Sequence, residues 1–75
     1  MDNSYEIRKD TVSLLSHYLG EHLGVTFEDG YGDEILPVYL HNAYLLLLDH
    51  IGQPKAKEEI DKILSKNSKT AINYE

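Results

Sequence analysis

The sequence predicts an all-α fold: a small bundle of about three helices, spanning approximately residues 4–23, 34–51 and 54–66, completed by dimerisation. Three observations predict it. Apolar residues recur at three- and four-residue spacing in three separate stretches. Gly and Pro punctuate the joints between them. The middle stretch is too apolar to leave a solvent face of ordinary width.

The first helix carries Val12, Leu15, Tyr18, Leu19, His22 and Leu23 on one stripe, widened by Leu14. Asn3 followed by Glu6 resembles a capping box, with an oxygen acceptor at the N-cap and a carboxylate where the helix dipole favours it. Gly24 before Val25 fits a helix-closing glycine, and His22 is expected to pack on the apolar face. Gly20, inside the pattern, costs about 1 kcal/mol relative to alanine, so it marks either a close backbone approach or an early break. Residues 25–34 read as the connection, with a short extended piece at Val25 to Phe27.

Asp33 is the expected N-cap of the second helix, Pro37 falls in its first turn, and Gly52 with Pro54 ends it after Ile51. Leu45 to Leu48 sweep most of the way round a helix, more than two neighbours cover. Leu40, Tyr44, Leu45, Leu47 and Leu48 are therefore assigned to a homodimer interface, the alternatives being a partner's helix or pocket, or a monomer whose acidic loop or tail folds over the gap. Pro54 opens the third helix, with Ala56, Ile60, Ile63 and Leu64 inward. Lys55 with Glu59, Lys57 with Asp61, and Glu58 with Lys62 form its outer ladder. Residues 1–66 make one helical domain, and 67–75 a frayed tail.

A chain of 75 residues sits where one core is barely sufficient, and its lack of cysteine excludes disulfides and thiolate metal sites. Seven basic against thirteen acidic residues, a net charge of −6, argue against direct nucleic-acid or membrane binding. No signal-peptide pattern opens the sequence, so a cytoplasmic location is expected. The charge is uneven. Residues 1–34 hold eight acids and two bases, whereas 35–75 hold five of each. Glu28, Asp29, Asp33 and Glu34 cluster around Tyr31, a residue type enriched at binding hot spots, and these five form the candidate partner-binding site.

Catalytic and cofactor motifs are missing. Among the four histidines only His17 has an acid, Glu21, at helical ligand spacing, and the acidic cluster lacks the ligand alternation of a calcium loop, so no metal is expected. No phosphate-binding glycine pattern, nucleophile turn or basic recognition helix occurs, so no cofactor, no catalysis and no DNA reading are expected. The favoured expectation is an acidic protein-interaction module. It would bind a basic partner surface, such as that of a nucleic-acid-handling protein, as an inhibitor or regulator of the antitoxin or immunity kind. The alternatives are a structural subunit of a homo-oligomer, and an enzyme assembled across a dimer from His17, Glu21 and the loop carboxylates.

Overall fold

The computed structural model describes residues 4–69 and 71–75, and the described residues form four helices and no strand. These are α1 (Ser4–Leu19), α2 (Glu21–Tyr31), α3 (Leu36–Ile51) and α4 (Gln53–Lys66). The all-helical class agrees with expectation, and the count rises by one. Asn3, the expected cap, lies outside the described residues, while Glu6 occupies the first turn of α1 as the dipole favours.

The first expected helix, 4–23, breaks at Gly20. Its φ of +101° belongs to a region that side-chain-bearing residues rarely adopt. Its N–H closes α1 on the Ser16 carbonyl at 3.0 Å, and its carbonyl accepts the Gly24 N–H at 3.2 Å to open α2. The chain then turns back along α1. Gly24 does not close a helix; it lets the two backbones meet, since a Cβ there would collide with Ser16 Oγ and stand 3.2 Å from the Val12 carbonyl. Close approach and helix break thus fall on two different glycines.

The expected connection, 25–34, is corrected too: helix α2 runs through Val25–Phe27 to Tyr31, and the true linker is 32–35. Gly24, Val25, Thr26 and Gly30 have poor helix propensity, and tertiary packing overrides it. Phe27 is buried against the Tyr39 ring at 4.9 Å between centroids. The expected packed pair on this stretch turns outward, with His22 and Leu23 both exposed.

Helix α3 begins without a side-chain cap, because Ile35 rather than Asp33 holds the N-cap position, and Pro37 sits in the first turn. Tyr39, Leu40, Ala43, Tyr44 and Leu47 are buried between α1 and α4, facing Ile7, Leu15, Ala56, Ile60 and Leu64. Gly52, at φ +84°, serves both as the C-cap of α3 and the N-cap of α4, which makes the α3–α4 joint a single residue. The expected ladder on α4 is present, with Lys55–Glu59 at 3.2 Å, Lys57–Asp61 at 3.4 Å and Lys62–Glu58 at 3.9 Å. Burial opposes ionisation of Glu59, but hydrogen bonds from Lys62 and Lys55 hold its carboxyl below the usual range.

Residues after α4, expected to fray, return to the body instead. Ile72 packs against the core, and Tyr74 is only 4% exposed. Its phenol donates to Asp61 Oδ1 at 2.6 Å, and its ring meets Tyr44 edge-on at 5.5 Å. This tail covers part of the apolar excess on α3, which is the alternative to a second copy that the sequence leaves open.

Candidate docking surface

The acidic cluster is held in place by one arginine from α1. Arg8 donates from Nη1 to the Gly32 carbonyl at 2.9 Å, from Nη2 to the Glu34 carbonyl at 2.5 Å, and from Nε to Ser4 Oγ at 2.9 Å. Its guanidinium lies 4.6 Å from the centroid of the Tyr39 ring. A planar fork reaching two carbonyls of one linker fixes that linker's path, which a single ammonium would not do. Gly32 contributes by being small, since a Cβ there would stand 2.5 Å from the Glu28 carbonyl.

Glu28 faces the same assembly from α2. Its carboxylate accepts the Tyr39 hydroxyl at 2.6 Å, while Phe27 bridges Tyr39 and Tyr31 with centroid distances of 4.9 and 5.0 Å. Burial, then the hydrogen bond and charge of Glu28, hold the Tyr39 phenol above the usual tyrosine range, with Arg8 opposing. Arg8, Glu28 and Tyr39 thus form one joint between α1, α2 and α3.

The five candidate residues therefore divide. Glu28 is occupied by Tyr39 and partly buried, so it supports the surface rather than presenting charge. Tyr31 is 38% exposed, half committed to Phe27 and half open. Asp33 and Glu34 are exposed on the clamped linker, within a turn in which the Glu34 N–H donates to the Tyr31 carbonyl at 3.0 Å. Asp29 is exposed but sits about 200° round α2 from Phe27 at 100° per residue, on the side away from this group. Sequence reasoning missed Arg8, whose sign conflicts with the cluster, and Ile35, which is 68% exposed at the end of the linker. The signal for Ile35 was its place just ahead of Pro37: a residue at an N-cap has not yet joined the helix's buried stripe.

The ion pairs among the described residues gather around α4. Every lysine ion pair among the described residues lies on α4, reaching acids of α4 itself, Asp10 of α1 or Glu75. Among the described residues Glu21, Asp29, Asp33 and Glu34 have no ion-pair partner within 4.0 Å.

The expected dimer residues are redistributed as well. Leu40, Tyr44 and Leu47 belong to the core of the single chain, and Leu48 is partly buried against it. Only Leu45 remains exposed, next to an exposed Leu46. His17 and Glu21 fall on different helices, so their helical spacing no longer aligns them, and among the described residues no three His, Asp or Glu side chains gather as a metal site would require. Among the described residues, no helix is long and apolar enough to cross a membrane. Comparison of the chain with protein-family models, curated proteins and solved structures returns no match.

Proposed function

We propose that the protein is a non-catalytic, cytoplasmic interaction module that docks on a basic protein surface through its α2–α3 linker. The observation that carries this reading is the pairing of Asp33 and Glu34, both without ion-pair partners, with the exposed Ile35 on a linker clamped by Arg8. Uncompensated charge steers a cationic partner, and an apolar side chain beside it supplies surface to bury. Preorganisation lowers the ordering cost of binding. A partner with a basic groove of the kind that holds nucleic acid phosphates suits this surface, so inhibition or regulation of such a protein is the role it supports.

The test is capture of partners from a lysate by wild type, Asp33→Asn/Glu34→Gln and Ile35→Ser, at low and raised salt. A cationic partner retained by wild type at low salt, and lost with either variant, supports the reading. Capture that ignores both variants and salt removes it. A second reading, a homo-oligomer subunit joined through α3, keeps the support of exposed Leu45 and Leu46 alone.

A further inference from the structure

The face of α3 turned away from the core carries apolar side chains that the chain leaves open. Val38, Leu45 and Leu46 are each at least 38% exposed, and Ile35 stands out ahead of them at the N-cap. At about 100° per residue, Val38, Asn42, Leu45 and Asp49 fall within an arc of about 60°, opposite the buried Leu40, Ala43 and Leu47. On one flank of this stripe Phe27 of α2 meets Tyr39, and on the other Tyr74 meets Tyr44 and His41, so it is bordered on both sides and covered by neither. The Asn42 amide in its middle donates to the Val38 carbonyl at 2.9 Å, which bonds the polar residue of the stripe to its own helix. Acids stand at both ends, Asp33 and Glu34 before α3 and Asp49 in its last turn. All three are exposed, and among the described residues none has an ion-pair partner within 4.0 Å. No Lys or Arg occurs between Lys9 and Lys55.

We infer that this face receives one helix of the basic partner, an amphipathic segment of about four turns lying along α3. Its apolar stripe rests on Ile35, Val38 and Leu45. Lys or Arg at its two ends meet Asp33 with Glu34 and, about 20 Å further along α3, Asp49. The inference rests on the docking reading and specifies the form of the partner. Charge chooses among the occupants that an apolar helix face could take. A second copy of α3 in parallel sets Asp49 against Asp49, and an antiparallel copy centred on Asn42 sets Asp49 toward Asp33 and Glu34, with no Lys or Arg on either helix to answer them. An anionic membrane surface is repelled for the same reason. A cationic amphipathic helix satisfies the stripe and both of its ends.

The probe is a fluorescent synthetic peptide of about 16 leucine, alanine and lysine residues, with the leucines on one helical stripe and lysines at both ends, and anisotropy reads its binding to the full chain. One control peptide has the same composition with its leucines dispersed round the helix; another has glutamate for lysine. Wild type is expected to bind the striped basic peptide at least about tenfold more tightly than either control. Leu45→Ser and Val38→Ser each weaken it by about three- to tenfold, since roughly half of each side chain remains to be buried. Asp49→Asn weakens it by about two- to fivefold at low salt and has little effect at raised salt. Val25→Ser, at an exposed site about 200° round α2 from Phe27, leaves binding unchanged. Circular dichroism checks that each variant keeps its helices, and the peptide controls need no change in the protein. Equal binding of the striped and dispersed peptides, no binding at about 1 mM protein, or binding indifferent to Leu45→Ser and Asp49→Asn overturns the inference. So does a chain that sediments as a dimer through Leu45 and becomes a monomer with Leu45→Ser. Binding lost with Asp33→Asn/Glu34→Gln and Ile35→Ser but kept with Leu45→Ser and Asp49→Asn removes the helix along α3 and leaves docking through the linker standing.

Discussion

Replacing Arg8 by methionine tests whether the α2–α3 linker is held by a clamp or merely lies where its neighbours leave it. Methionine keeps the aliphatic stem and removes the fork. The bond to the Gly32 carbonyl is partly buried, and a charged hydrogen bond of that kind contributes about 1.5–3 kcal/mol. The bond to the Glu34 carbonyl is exposed and contributes about 0.5–1 kcal/mol after solvent competition. Loss of the guanidinium over Tyr39 adds about 0.5–1 kcal/mol. The expected destabilisation is therefore about 2.5–5 kcal/mol, a large share of the roughly 4–11 kcal/mol that a chain of 75 residues commands. Urea unfolding followed by circular dichroism measures it, and hydrogen exchange at the amides of residues 32–36 should rise with it. Arg8→Lys should recover less than half, because one ammonium reaches one carbonyl. A methionine variant within about 0.5 kcal/mol of wild type, or a lysine variant equal to it, would show that the linker does not depend on the fork.

Two further changes follow from the packing and from the buried phenols. Gly24→Ala should destabilise by about 1–3 kcal/mol by overpacking against Ser16 Oγ. In a Ser16→Ala background the same change should cost markedly less, since the Oγ obstruction is gone and only the 3.2 Å approach to the Val12 carbonyl remains to oppose the gain of about 1 kcal/mol in helix propensity that alanine brings; a double-mutant cycle that shows additivity contradicts the close approach. Tyr39 and Tyr74 both have phenols raised above the usual tyrosine range, burial being the first cause and a carboxylate hydrogen bond the second. A folded value above the unfolded one gives stability that is complete below about pH 10 and is lost as pH rises through the folded value. Tyrosinate absorbance should therefore show a late step coincident with loss of helical signal, diminished in Tyr39→Phe and in Tyr74→Phe; ionisation of these phenols with helices intact would refute it.

The parts of the fold legible in the sequence were those where local signals and tertiary packing agree. Helices α3 and α4 carry Pro near their starts and share Gly52 between them, and their boundaries shift from the expected ones by no more than two residues. Helix α2 was illegible because its favourable terms are not local. Its glycines and β-branched residues argue for a loop, and the reasons it is a helix are Phe27 against Tyr39 and Gly24 against α1. The same blindness hid Arg8, 24 residues from Gly32 in sequence, and Tyr74, 13 residues from Asp61. A tail of small and polar residues offers no period to read, so a single buried aromatic within it cannot be told from an exposed one until its groove is known. Helix α3 carries more apolar surface than two neighbours cover, and this tail covers part of the remainder while Leu45 and Leu46 stay exposed.

The division of charge in space says more than its sum. On α4 the carboxylates are answered by lysines a turn away, and Asp10 is answered by Lys66 at 3.6 Å. On the linker the nearest cation, Arg8, directs its described hydrogen bonds to carbonyls and a hydroxyl, so Asp33 and Glu34 keep their charge toward solvent. Field and apolar surface act on different steps of association. The unpaired charge acts over about 8–10 Å and accelerates encounter, an effect that salt screens. Ile35, if buried by a partner, contributes about 1.5–3 kcal/mol with little salt dependence and slows departure. The two sets of substitutions proposed for the linker therefore separate in kinetics: amides at Asp33 and Glu34 slow binding and flatten its salt dependence, while serine at Ile35 shortens the lifetime of whatever complex forms.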